Sequence, residues 1–328
     1  MSDEQKRVSW RGPLRVLLMG TPDFAVPALE LLASWETLDE EGLRPLELVG
    51  VVSQPDRPKG RGQRLQRTPT AAAADRLGCP VFQWPRLNNE SFDTLQALRP
   101  DLSVVIAYGK ILPKRYLDLP TLGCWNLHGS LLPGLRGAAP VQWALINGER
   151  ETGVSLMQLD EGMDTGPVAL ERRTQIQPEE DAGALMGRLS FLAAEVLREG
   201  LAALWGAGLT FQAQDEAAAT YAPLLKKADG HLDWGAEARA LADRVRGLSP
   251  WPGAWCESPR ERLKVHKVRV VEGDGEPGQV LEPLPEGPRV ACGAGALCLI
   301  ELQRAGRRAQ SGAEFLRGAS LTPGEVLQ

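Results

Sequence analysis

Short apolar runs of strand length, alternating with helical segments, constrain the fold of this chain more than any other feature. Residues 14–20 (Leu-Arg-Val-Leu-Leu-Met-Gly) read as a buried first strand. Residues 22–34 follow with turn formers and then apolar residues at helical spacing. The pattern repeats: strand at 46–53, helix at 68–78, short strand at 80–83, helix at 91–98, strand at 102–107. Such alternation predicts an α/β fold with a mostly parallel sheet and helices on both faces. Residues 124–128 and 153–159 would add strands, and 181–205 predict the longest helix. In sheets of this class, sites lie beyond the carboxyl ends of strands.

The second half has a different rhythm. Gly206-Ala-Gly208 and the polar stretch 212–220 predict a linker. Beyond Trp251, short β runs at 263–271, 278–281, 289–292 and 296–302 are cut by Gly and Pro, which suggests a small β-barrel. A chain of 328 residues is long for one core, so two domains are expected: 1–206, a linker at 207–222, and 223–328.

Composition excludes several classes. The hydrophobic fraction of 43% is that of a globular protein, and no apolar run reaches the length of a membrane span. Residues 1–13 show no apolar core and no cleavage pattern, so no secretory signal is read and a cytoplasmic location is expected. The five cysteines are odd in number and contain no Cys-x-x-Cys, which argues against a disulfide framework or zinc site and for free thiols. No metal is expected. The net charge of −5 weighs against a general nucleic-acid binder. Yet residues 57–67 hold five basic side chains and no acid, and 260–269 hold five against Glu261. Either patch reads as a solvated surface or as recognition of one anionic partner.

The chemistry concentrates in Asn126-Leu-His128-Gly-Ser130-Leu-Leu-Pro133. On a strand at 124–128, Asn126 and His128 project to the same face. Asp164, in Asp164-Thr-Gly166, follows on a Gly-punctuated loop after another strand-like run. An amide can donate to a developing oxyanion, an imidazole can move a proton, and a carboxylate can orient the imidazole. That set suits acyl transfer; the plainer readings are a structural histidine and a turn aspartate.

Two other patterns are set aside. Gly273-Asp-Gly275-Glu-Pro-Gly278 fits a dinucleotide fingerprint, but it lies in the β-rich half and precedes a strand, so a turn is expected. His128, Ser130 and Asp164 could be a serine-hydrolase triad, but the G-x-S-x-G elbow is absent.

These residues and their surroundings resemble the methionyl-tRNA formyltransferase family of folate-dependent formyltransferases. The resemblance runs from about Leu14 to the C-terminus. It is carried by Met19-Gly-Thr-Pro-Asp-Phe24, Gln54-Pro-Asp-Arg-Pro58 with Gly60-Arg-Gly62, and Tyr108-Gly-Lys-Ile-Leu-Pro113. The Asn126–Pro133 segment, Arg136-Gly-Ala-Ala-Pro140, Asp164-Thr-Gly166, Tyr221-Ala222 and Trp251-Pro252 follow in family order. It implies transfer of a formyl group from 10-formyltetrahydrofolate, as co-substrate, to the methionyl amino group of initiator methionyl-tRNA. It implies a Rossmann-like catalytic domain and an OB-like C-terminal domain that binds tRNA.

By the same resemblance, Asn126, His128 and Asp164 are catalytic. Asn126 would hold the oxyanion, His128 would share it as imidazolium or accept the amine proton, and Asp164 would stabilise charged His128. Ser130, Leu131, Leu132 and Pro133 would bind folate, with Val104, Ile106 and Tyr108 forming an apolar pteridine wall or, more plainly, sheet core. Arg57, Lys59, Arg61 and Arg64 would meet tRNA, with Arg61 inspecting it. A monomer is expected. Competing readings are a formyltransferase for a small amine, a formyltetrahydrofolate hydrolase, and an RNA-binding module on an inactive scaffold. The basic loop with a β-rich tail speaks against the first two, and the intact Asn126, His128 and Asp164 against the third.

Overall fold

A computed structural model describes residues 6–35, 45–59, 62, 64–318 and 321–328. By compactness the chain forms two units. The first takes residues up to Gly137, Thr152–Thr174 and Met186–Tyr221; the second takes Ala138–Glu151, Gln175–Leu185 and Ala222–Gln328.

The first unit is built on seven strands: β1 (Leu14–Gly20), β2 (Leu46–Ser53), β3 (Val81–Gln83), β4 (Leu102–Ile106), β5 (Cys124–His128), β6 (Glu151–Gln158) and β7 (Val168–Gln175). Their order is β7-β6-β5-β4-β1-β2-β3. Neighbours from β3 through β5 are parallel, whereas β6 runs antiparallel to β5. The chain leaves β1 for β2 on one side and later adds β4 on the other. That reversal opens a crevice beyond the carboxyl ends of β1 and β4, where ligands of such sheets bind.

Alternation along the strands divides the core between two faces. On one face Leu17, Met19, Val105 and Cys124 pack with Leu95, Tyr116 and Leu117 of the helices Asn89–Ala97 and Lys114–Leu117. On the other, Trp125 meets Phe211, its ring centroid 6.1 Å away, and faces Gly200 of the helix Ala182–Trp205. Gly200 leaves room for that contact: a Cβ there would lie 2.6 Å from Leu156. The expected helices on both faces are therefore present.

Element ends follow local chemistry. The helix Pro69–Arg76 begins with Thr68 as N-cap, whose hydroxyl accepts from Ala71 N–H, and with Pro at its first position. Asn88 and Ser91 form a reciprocal capping box on Asn89–Ala97. The sequence pattern did not indicate β7, and its composition explains this. Val-Ala-Leu-Glu-Arg-Arg-Thr-Gln is an edge strand that is nowhere fully buried, so charge replaces apolar alternation.

The second unit carries an antiparallel sheet of β8 (Ala254–Glu257), β9 (Arg262–Val271), β10 (Val280–Leu284), β11 (Gly287–Ala291), β12 (Ala296–Arg304) and β13 (Ala309–Ser311). The path runs β8-β9-β12-β11-β10, with β13 added on β12. Leu263, Val265, Leu297, Leu299 and Leu302 pack with Leu241, Val245 and Leu248 of the helix Ala238–Leu248. The spacing of those three helix residues is itself a helical signal. The last residues bond both ends of the path: Gln328 exchanges two hydrogen bonds with Glu257, and Leu327 N–H donates to Gly278 O at 2.8 Å.

Candidate active site

Asn126 and His128 occupy the carboxyl-terminal half of β5, paired with Met157 and Ser155 of β6. Both are buried, at 8% and 6% exposure. They share their face with Cys124 and lie beside Val105. The Asn126 side-chain amide makes no hydrogen bond within the chain among the described residues.

The His128 ring is held from two sides. Nε2 lies 3.0 Å from Leu135 O. A carbonyl only accepts, so Nε2 carries a proton. Nδ1 lies 3.7 Å from Asp164 Oδ2. Nδ1 thus faces the carboxylate beyond hydrogen-bond distance. Asp164 Oδ2 also accepts the Gly137 N–H at 2.8 Å.

Backbone conformation is unusual around this pair. Four described non-glycine residues have positive φ, and three of them are Ala107 just after β4, Leu135 and Asp164. Left-handed backbone in such residues persists only where the surroundings impose it, and it concentrates at functional sites. Leu135 thereby presents its carbonyl to His128, and Asp164 its carboxylate. Gly166 closes the Asp-Thr-Gly turn because nothing larger fits: a Cβ there would sit 1.8 Å from Gln158 O.

The Ser130–Pro133 turn leaves the end of β5. Ser130 Oγ donates to Gly134 O at 2.6 Å, and Leu132 N–H donates to Ser155 Oγ at 3.0 Å. The Ser155 hydroxyl in turn donates to Ser130 O at 2.8 Å. Ser155 carries no motif of its own; its place on a strand pairing with His128 is the signal that finds it. Thr21, after β1, joins the neighbouring loops: its hydroxyl donates to Tyr108 O at 2.9 Å and accepts from Gln54 N–H.

The wall residues divide. Tyr108 is buried with Val105 on the face of Asn126, and burial pushes its hydroxyl up to about 12, with nearby Tyr116 adding to the shift. Val104 and Ile106 are wholly buried but alternate with Val105, so they point to the opposite face and do not meet Asn126 or His128.

The basic segment forms a short hairpin. Arg57–Lys59 pairs antiparallel with Arg64–Gln66, and Arg57 and Arg64 are exposed. Arg61 lies outside the described residues, as does the Lys59 side chain. At the base, Arg67 grips Asp75 through two bonds of 2.8 and 2.9 Å and reaches Gln83 at 2.5 Å. In the second unit, four of the five basic residues at 260–269 are paired with acids: Arg260 with Glu325, Arg262 with Glu257, Lys267 with Glu179 and Arg269 with Glu286.

All five cysteines are free thiols. Among the described residues no group of three or more His, Cys, Asp or Glu could hold a metal, and no helix is long and apolar enough to cross a membrane.

The chain matches the formyl transferase family over residues 16–201 and the formyl transferase C-terminal domain over residues 224–320. It is 46% identical to the methionyl-tRNA formyltransferase of Citrifermentans bemidjiense, over 96% of each chain. It is 45% identical to that of Myxococcus xanthus, over 94% of this chain and 96% of the relative. Among solved structures it resembles the Helicobacter canadensis N-formyltransferase in complex with folinic acid and dTDP-3-aminofucose, at a TM-score of 0.63 and 14% identity. The match covers 89% of this chain and 99% of that one. HypX from Aquifex aeolicus in complex with tetrahydrofolic acid matches at a TM-score of 0.56 and 15% identity, over 96% of this chain and 51% of that one. At these identities the two structures speak to fold alone.

Proposed function

The chain belongs to the methionyl-tRNA formyltransferase family, and on that premise we propose that it formylates the α-amino group of initiator methionyl-tRNA with 10-formyltetrahydrofolate as donor. The observation that carries the reading is a buried amide without an intrachain partner, Asn126, beside the His128–Asp164 pair at the end of a sheet strand. The amide atoms are not among the buried unsatisfied ones, so they remain open to a ligand.

In this mechanism the neutral amine attacks the formyl carbon, and charge develops on the former carbonyl oxygen. Asn126 donates to that oxygen, a role worth roughly 2.7–4 kcal/mol for a typical oxyanion donor. His128, with Nε2 held by Leu135 O and Nδ1 toward Asp164, shares that oxyanion or accepts the amine proton. Asp164 steadies His128 and orients a proton relay from the amine to the leaving N10 nitrogen. The N–C bond to methionine forms as the N10–C bond breaks, and the amine proton ends on N10, so the step balances without a metal.

Ser130, Leu131, Leu132 and Pro133 line the folate side, with Tyr108 on the same face; Val104 and Ile106 back that wall from the sheet's far side. Arg57, Lys59, Arg61 and Arg64 meet the tRNA by charge. Residues 1–206 act as the catalytic domain and 223–328 as the tRNA-binding domain, joined through 207–222. The protein works as a cytoplasmic monomer.

The test is to supply 10-formyltetrahydrofolate with charged initiator or elongator methionyl-tRNA and assay formylmethionine. Formylation of the initiator tRNA in preference to the elongator supports the reading. No product with either tRNA, or release of formate alone, overturns it.

A further inference from the structure

Of three consecutive residues, Leu135, Arg136 and Gly137, the outer two each touch a part of the His128–Asp164 pair. Leu135 O accepts from His128, and Gly137 N–H donates to the Asp164 carboxylate. The middle residue works at longer range. The Arg136 side chain is entirely buried, at 0% exposure, in the first unit. Its guanidinium donates from Nε and Nη2 to Gln214 Oε1 at 3.0 and 2.9 Å. It also forks onto Glu216, with Nη1 and Nη2 at 2.9 and 2.8 Å from the two carboxylate oxygens.

Gln214 carries the contact onward. Its Nε2 donates to Asp164 O at 2.8 Å and to Gly166 O at 2.6 Å. The amide has only one orientation that satisfies both sides, because a guanidinium has donors and no acceptor. Arg136 therefore fixes Gln214 with its NH2 toward the Asp-Thr-Gly turn. That turn needs an external restraint, since Asp164 is held at a φ of 54°. The strap is completed by Thr220, whose hydroxyl accepts from Leu135 N–H at 2.8 Å and whose carbonyl accepts from Arg136 N–H at 2.8 Å.

Burying a guanidinium is a poor way to gain stability, and an apolar side chain of similar volume does as well or better. The partner that faces outward, Glu216, is 69% exposed, so this ion pair could have formed at the surface. What burial adds is a fixed direction for Gln214. We propose that Arg136, acting through Gln214, is a positioning residue that sets the Asp164 carboxylate against His128. The proposal deepens the catalytic reading above and rests on it for its kinetic arm.

The substitution Gln214→Glu isolates the claim. A carboxylate still accepts from Arg136 but cannot donate to Asp164 O or Gly166 O. Arg136→Lys is the second variant; it keeps the charge and loses the fork. In both, folding is checked by thermal melts, and turnover should fall about tenfold or more with the folate KM unchanged, as expected for a misplaced catalytic group. In an Asp164→Asn background the same substitutions should cost less than about threefold, because residues acting through one group are not additive.

A second readout needs no turnover. The chain has three histidines, so the ring nitrogen NMR signals of His128 can be assigned by their loss in His128→Gln. In Gln214→Glu they should move toward their positions in Asp164→Asn. Unmoved signals, or an equal loss of turnover in both backgrounds, overturn the proposal. Should the unsubstituted enzyme fail to formylate, the functional reading falls while the His128 signals still decide whether the clamp exists.

Discussion

Asn126 is 8% exposed and its amide finds no partner within the chain among the described residues, so stability and chemistry pull apart at this position. Asn126→Leu replaces the amide by an apolar side chain of similar size. Stability to urea should be nearly unchanged, because the amide gives up no hydrogen bond within the chain. Single-turnover formylation should fall by about 10²–10³, the usual loss of an oxyanion donor. A clear loss of stability would mean that the amide has a structural partner instead. Cysteine gives a second residue-scale prediction. Burial pushes Cys124 and Cys256 up to about 12 and Cys292 up to about 11, and raises Cys298 and Cys79 as well. Only Cys79 is not fully buried. A disulfide reagent at mild alkaline pH should therefore label one thiol in the native protein and five after unfolding. The odd number and spacing of the cysteines pointed to free thiols, as found; which one meets solvent depends on packing that no spacing encodes.

Elements were legible wherever apolar periodicity made them. β1 and β2 were readable to the residue, because buried strands of Val and Leu stand out between turn formers. The helix expected at 91–98 starts earlier, at Asn89, because Asn88 and Ser91 cap each other, a pairing less obvious than a Ser or Thr with Glu. The Tyr116 hydroxyl, 2.7 Å from Asn88 O, ties that cap to the next helix. Asn88→Ala should cost about 1 kcal/mol of stability, the usual value of a lost N-cap, and leave turnover alone. Melts and kinetics on the same preparation check both halves. The polar stretch 212–220 is the contrasting case. Gln214, Glu216 and Thr220 act through hydrogen bonds to residues far along the chain, and such bonds leave no period in the sequence. Arg136 opens the Arg136–Pro140 motif, but nothing in its neighbours announces that it is buried.

At the scale of the molecule, a minority of charges are spent in pairs, and some of those pairs shift a carboxylate. The chain is acidic by five charges, yet its arginines hold specific carboxylates below their ordinary values. A hydrogen bond from Arg136 lowers Glu216 from 4.5, and one from Arg67 lowers Asp75 from 3.8. The Ser311 backbone N–H lowers Glu314 from 4.5 in the same way. A carboxylate whose value is depressed by folding stabilises the fold above its unfolded value, and that contribution disappears as pH falls through the lower folded value. Glu149 has the opposite sign: burial raises it, so it takes up a proton early on acidification and relieves a small strain before the others weaken. The melting temperature should thus stay nearly level from neutral pH to about pH 5 and begin to fall below about pH 4. Each exposed pair contributes little by itself, and salt will blunt the effect. The Arg136 clamp allows a sharper check, because its guanidinium is buried. Glu216→Gln should lower the melting temperature at neutral pH and reduce the further drop on acidification, since the proton that breaks the fork is no longer taken up. Melts from pH 7 to pH 3, with and without that substitution, decide it: parallel curves would show that acid unfolds the protein through other carboxylates and spares this clamp.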